Sequence, residues 1–129
     1  MLAIDTNVIV RYLTNDHPEQ SERARRLIDG QQVFAPVTVI LQTEWVLRSA
    51  YGYGQADIVR ALRKFGGLPT VEIEDAPVVA SALDLVEAGV DFADALHLGK
   101  SADCTGFVTF DRNFVKAARA AGFENVREA

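Results

Sequence analysis

Cysteine is almost absent: the 129 residues hold one, Cys104, with only two histidines, His17 and His97. This excludes an intramolecular disulfide and a cysteine-based zinc cluster, and it agrees with a reducing, cytoplasmic setting. Cys104 reads as a small buried apolar residue. His17 reads as a loop residue before Pro18, and His97 as a core residue or one that supports a ligand from behind. Long apolar runs are missing too. No stretch approaches the ~20 residues of a membrane span. The start, Met1 to Asp5, reaches an acid at once with no basic region before an apolar stretch, so no targeting segment is expected. Positive charge is also in deficit: 13 Lys and Arg stand against 18 Asp and Glu, a net charge of −5. A general nucleic-acid binder is ordinarily basic. An acidic chain fits such a role only if its acids gather in a site that cations neutralise.

What is present suits one compact domain over residues 1–129. Apolar residues make up 49% and charged residues 24%, close to the globular average, so a core can form without metal or disulfide staples. There is no internal repeat, low-complexity segment or linker. Leu2-Ala3-Ile4 reads as a buried strand ending at Asp5, and Asn7 to Leu13 as a helix. A second helix starts at Pro18 and runs to Asp29, with Gly30 its stop. Val33 to Pro36 reads as a strand, Thr38 to Tyr51 and Gln55 to Phe65 as helices, and Val71 to Ile73 as a strand. Asp75 caps a helix that runs to Glu87 and stops near Gly89. Asp94 to Ala102 is a helix, Gly106 to Phe110 a buried strand, Asn113 to Ala121 a helix, and Asn125 to Arg127 an edge strand. Strands alternating with helices predict an α/β sandwich with a mostly parallel sheet.

In open α/β sheets, ligands bind beyond the carboxyl ends of the strands. Asp5 and Asp111 each end a strand, so both project from one sheet edge if those strands are parallel. Glu44 has Ile40, Leu41, Leu47 and Arg48 as its neighbours three and four positions away, so its carboxylate lies on or beside a buried stripe. Asp94 opens its helix, and Asp91 stands one turn before it. Carboxylates crowded in a cleft stay ionised only with positive charge among them. Oxygen donors without cysteine suit magnesium or manganese better than zinc.

Taken singly, each acid has an ordinary reading. Asp5, Asp91 and Asp111 can cap helices, and Asp94 complements a helix dipole. Glu44 reads equally well as an ion-pair partner of Arg48 at the next turn. The combination carries more than its members, because two strand ends and two helices supply acids of one type in order.

Those residues resemble the PIN-domain nucleases, and within them the VapC-type toxins of type II toxin–antitoxin systems. Ile4-Asp5-Thr6-Asn7 looks like the first-acid segment of that family, and Glu44 is similar to its helical glutamate. Asp91-Phe92-Ala93-Asp94-Ala95-Leu96-His97-Leu98 resembles the third-acid stretch, with the acid at Asp94. Val108-Thr109-Phe110-Asp111-Arg112-Asn113-Phe114 resembles the fourth, with Thr109 two residues before Asp111. The likeness runs from Met1 to about Val126, and Lys100-Ser101-Ala102-Asp103 departs from the plainer alanine-rich helix of many members. It implies a three-layer α/β/α sandwich and one or two Mg2+ or Mn2+ ions at Asp5, Glu44, Asp94 and Asp111, with Asp91 a secondary candidate. It also implies endonuclease action on RNA, a homodimer, and neutralisation by a cognate antitoxin.

On this reading Asn7 and Thr109 orient ligands or the phosphate from behind the acids. Arg11, Arg48, Arg60, Arg63, Lys64, Arg112 and Lys116 form basic rims that track the RNA backbone, or else are scattered solubilising charges. Tyr12, Tyr51 and Tyr53 are candidates for stacking on splayed bases, although Tyr51-Gly52-Tyr53-Gly54 also reads as a helix end and loop. Leu62, Phe65 and Leu68 read as core before they read as a dimer surface. Two other classes remain open. An aspartate-nucleophile phosphatase would suit Asp5, but the haloacid-dehalogenase-like pattern wants a second Asp where Asn7 stands; a receiver domain wants a late lysine that is missing. A non-catalytic PIN-like binding module would be marked by loss of a site acid, and all four are present.

Overall fold

The computed structural model describes all residues, Met1–Ala129, and divides them into two compact units, Met1–Ala76 and Pro77–Ala129. The first unit runs β1 (Leu2–Ala3), α1 (Thr6–Leu13), α2 (Pro18–Gly30), β2 (Val33–Ala35), α3 (Val37–Ser49), α4 (Gln55–Gly66) and β3 (Val71–Ile73). Its strands form one parallel ladder in the order β1-β2-β3, with Leu2 opposite Val33 and Val33 opposite Val71. Parallel neighbours need a crossover. Here a helix pair supplies each one, α1 with α2 and then α3 with α4. On α2 the buried residues Ser21, Ala24 and Ile28 recur at helical spacing, and on α4 Ile58, Val59, Leu62 and Phe65 do the same. Ile28, Ile40, Leu47 and Phe65 are almost wholly enclosed, which settles Leu62 and Phe65 as core.

α1 and α2 are drawn together by buried hydroxyls. Ser21 Oγ donates to the Thr14 carbonyl at 3.0 Å, and Thr14 Oγ1 to the Val10 carbonyl at 2.8 Å. A polar strut joins the end of α1 to the end of α3. Tyr51 donates to Asp16 at 2.8 Å and accepts from Arg11 at 2.8 Å. The Tyr51 and Thr14 hydroxyls at Asp16 hold its carboxyl below the usual aspartate range.

The second unit holds α5 from Pro77 onward (the helix spans Ala76–Glu87), α6 (Phe92–Gly99), β4 (Phe107–Thr109), α7 (Arg112–Ala120) and β5 (Val126–Glu128). β4 and β5 pair in parallel, Phe107 opposite Val126 and Thr109 opposite Glu128, and α7 packs on both. Phe114 of α7 meets Phe107 edge-on with ring centres 5.5 Å apart. Two helices stop at a glycine with positive φ, Gly89 at 98° and Gly122 at 102°. At the second stop Gly122 N–H bonds Arg119 and Phe123 N–H bonds Ala118, the paired closing bonds that a left-handed glycine permits.

Several expectations need correction. β1 belongs to the ladder of the first unit and β4 to that of the second. Neither is fully buried: Leu2, Val108 and Phe110 are exposed, Phe110 at 84%. An unbroken apolar run cannot show whether both faces of a short strand are covered, and β4 alternates, with Val108 out and Phe107 and Thr109 half-buried. Cys104 is exposed, because it sits in the turn between α6 and β4, where its N–H closes on Ser101. α6 begins at Phe92, so Asp94 lies in its first turn and Asp91 is the cap. Gly30 is the last residue of α2 rather than its stop.

Gly99 marks a close approach of α5 and α6. A Cβ there would stand 2.9 Å from Val78 Cγ1. Overpacking of this kind costs about 1–3 kcal/mol, and the better helix propensity of alanine returns at most about 1. Gly99→Ala is therefore expected to lower the urea midpoint, by an amount equivalent to a stability loss of up to about 2 kcal/mol. An unchanged midpoint would show that Val78 moves aside freely.

Candidate active site

The first unit supplies two of the acids. Asp5 follows Ile4 at the end of β1 and caps α1, with its Oδ1 accepting the Thr6 N–H at 2.7 Å. Its side chain is exposed. Thr6 beside it is buried, and its hydroxyl donates to Gln42 Oε1 on α3 at 2.9 Å. That bond ties the turn carrying Asp5 to the helix carrying Glu44. Glu44 shares the buried face of α3 with Ile40, Thr43 and Leu47 and is only 7% exposed. Arg48 holds both of its oxygens, at 2.9 and 3.3 Å.

The second unit supplies the rest. Asp91 caps α6, with Oδ2 accepting the Asp94 N–H at 3.3 Å. Asp111 caps α7, with Oδ1 accepting the Phe114 N–H at 3.1 Å. The Asp111 N–H in turn donates to Thr109 Oγ1 at 3.0 Å, so Thr109 fixes the turn that presents the acid. Half-buried Asp94 feels the others. Burial first, then the charges of Asp91 and Asp111, push its carboxyl above the usual aspartate range, and only His97 opposes them. His97 is exposed, which corrects the expectation of a core residue. The structure thus brings Asp91 and Asp111 each within electrostatic reach of Asp94. Within neither unit do three or more His, Cys, Asp or Glu side chains gather closely enough to hold a metal ion.

The PIN domain family matches residues 2–120. The chain belongs to the PIN-domain family. The match runs across both units and takes in Asp5, Glu44, Asp91, Asp94 and Asp111. No curated protein matches the chain. PIN domains are generally nucleases and typically use divalent metal ions. The α/β expectation therefore holds, and seven helices with parallel strands are consistent with the three-layer α/β/α fold of a PIN domain. Membership also removes the ground for the phosphatase and receiver readings. No helix is long and apolar enough to cross a membrane.

The donors of this PIN domain fit the metals its family uses, because every acid offers carboxylate oxygens, the hard ligands that magnesium and manganese prefer. Glu44 would have to share its oxygens with Arg48. The expected basic rims are weaker than the sequence implies, since Arg11, Arg48, Arg60 and Arg112 stand in ion pairs with Asp16, Glu44, Asp57 and Glu128. The tyrosines are committed to the fold: Tyr12 donates to Asp29 and packs edge-on to Phe65, and Tyr51 packs edge-on to Tyr53. Two residues escaped the sequence reading. Gln42 is signalled only by being polar on a largely apolar helix. Arg23 is signalled by standing three positions after Gln20, on the α2 face that turns toward α1.

Proposed function

We propose that this PIN domain is a magnesium- or manganese-dependent endoribonuclease and the toxin of a toxin–antitoxin pair. It would act in the cytoplasm as a homodimer and be silenced by a cognate antitoxin. The crowding of carboxylates at Asp94, in a chain of a generally nucleolytic family, carries the reading. A carboxyl pressed by burial and two like charges is costly to ionise, and a divalent cation relieves that cost. The choice of RNA and the toxin role rest on the VapC-like segments around Asp5, Asp94 and Asp111.

Asp5, Glu44, Asp94 and Asp111 would hold one or two ions, directly or through water, with Asp91 as a further donor. Such an ion supplies Lewis acidity to a phosphodiester oxygen and makes a water more acidic. The protein's own groups do the positioning. The caps at Asp5 and Asp111 orient their carboxylates, and Thr109 and the Thr6–Gln42 bond hold those turns in place. Asn7, exposed at the start of α1, offers an amide to a bound phosphate. No side chain is assigned as general base.

The test is to incubate the folded protein, free of antitoxin, with pooled structured and single-stranded RNA in magnesium, manganese or chelator. Cleavage is expected with either metal and none with chelator. Absence of cleavage in every buffer would overturn the enzyme reading and favour a PIN-like binding module.

A further inference from the structure

On α2, Gln20, Arg23, Ala24 and Leu27 recur at intervals of three and four residues and so share one face. On α1, Asn7, Val8 and Arg11 do likewise. These seven residues line an open groove of about 390 Å3 between the two helices. Its size falls within the range of small-molecule sites, about 300–1,000 Å3. Val8, Ala24 and Leu27 make an apolar floor, and the remaining lining groups are two amides and two guanidinium groups, with no carboxylate among them. In a chain of net charge −5, both charged groups of this groove are cations.

The two arginines differ. Arg11 is fixed: its Nε donates to Gln20 at 2.8 Å and its Nη1 to Tyr51 at 2.8 Å, while Asp16, 3.5 Å away, offsets part of its charge. Arg23 is exposed and has no hydrogen bond or ion pair within the chain. Its guanidinium is thus available to an external anion, beside one already held in place. Fixed and bidentate guanidinium groups suit phosphate oxygens.

We propose that this groove is a phosphate subsite for single-stranded RNA. It holds a backbone phosphate adjacent to the one being cut, with Arg23 and Arg11 on its oxygens and the attached sugar or base over Val8, Ala24 and Leu27. The proposal rests on the nuclease reading and deepens it. Asn7, which lines the groove, stands in the first turn of α1, two residues after Asp5, so the groove begins within one helical turn of that acid. An amphipathic protein helix would want a longer row of apolar positions than three, and RNA matches both the charge and the short floor.

The test compares wild type, Arg23→Gln, Arg23→Glu and Arg23→Lys. Binding of a fluorescent single-stranded RNA is followed by anisotropy in chelator across a salt series, and cleavage in Mg2+ is followed in parallel. Loss of one phosphate contact on single-stranded RNA reduces the slope of log K against log salt by about 0.7. Arg23→Gln is expected to show that change, with affinity down about tenfold, KM raised and kcat held. Arg23→Glu is expected to lose more, Arg23→Lys to recover part, and all to melt like wild type. Wild-type RNA affinity and salt slope in Arg23→Glu would overturn the subsite while leaving the nuclease intact. Binding of a poly-glutamate peptide that depends on Arg23, with RNA affinity unmoved, would overturn it in favour of a protein ligand. A wild type that neither cuts nor binds RNA would overturn both readings.

Discussion

Asp94→Asn is expected to reduce RNA cleavage by about a thousandfold or more, a barrier increase of roughly 4 kcal/mol, without lowering the stability of the fold. The two halves of this result have one cause. Asp94 is the acid on which burial and like charge converge, from Asp91 and Asp111. A carboxyl raised above its unfolded value of 3.8 is costless to the fold below that pH, where it is protonated in both states. As pH rises through the folded value, the native state must release a proton that it holds more tightly than the unfolded chain does, and stability falls. At neutral pH the ionised Asp94 therefore weakens the fold. Asparagine keeps the shape and removes the charge. The variant should melt no lower than wild type at pH 7, should lose part of the fall in stability that begins near pH 3.8, and should match wild type in acid. Manganese should raise the melting temperature of wild type by mass action and that of the variant much less. Thermal melts at several pH values, with and without manganese, check this beside the cleavage assay. Cleavage by the variant at the wild-type rate would remove Asp94 from the active centre.

The same residue shows what the sequence could and could not disclose. The acid at position 94 was legible from the motif around it, but its helix was expected to open there. The missed signal is Phe92, which with Ala95 and Leu96 makes an apolar face at helical spacing and draws the start of α6 back to the Asp91 cap. Elements with strong periodicity were readable to within a residue or so: α4 from its stripe ending at Phe65, and α7 up to Gly122. Burial was less readable. Ile4 is enclosed while Leu2 is half exposed, although both stand in the same short apolar run. A strand of two or three residues has no period long enough to separate a covered face from an open one. Charge was readable as a total but not as a set of pairs. Arg11, Arg48, Arg60 and Arg112 of the candidate rim are spent on acids of the chain, and Arg23, which is not, was never among the candidates.

Glu44→Gln is the other variant expected to have a large effect, a loss of cleavage of about a hundredfold or more, near 3 kcal/mol. Here the ion pair and the proposed metal site make opposite demands on one carboxylate. If Glu44 served only Arg48, glutamine would weaken a pair whose arginine is 48% exposed. Such half-wet pairs are worth about 1 kcal/mol at most, and cleavage per folded molecule would not change. If Glu44 helps to hold a cation, the neutral side chain removes a hard anionic donor from a buried position, and activity falls far more than stability. Arg48→Met separates the two further. It strips away the guanidinium that holds both Glu44 oxygens and leaves the hydrocarbon part of the side chain. The freed carboxylate is then a better donor, so manganese should bind more tightly to Arg48→Met than to wild type, even as the metal-free protein loses some stability. Calorimetric titration with manganese reads the first effect and a urea melt in chelator the second. Equal manganese affinity in wild type, Glu44→Gln and Arg48→Met would return Glu44 to a purely structural role and leave Asp5, Asp94 and Asp111 to hold the metal without it.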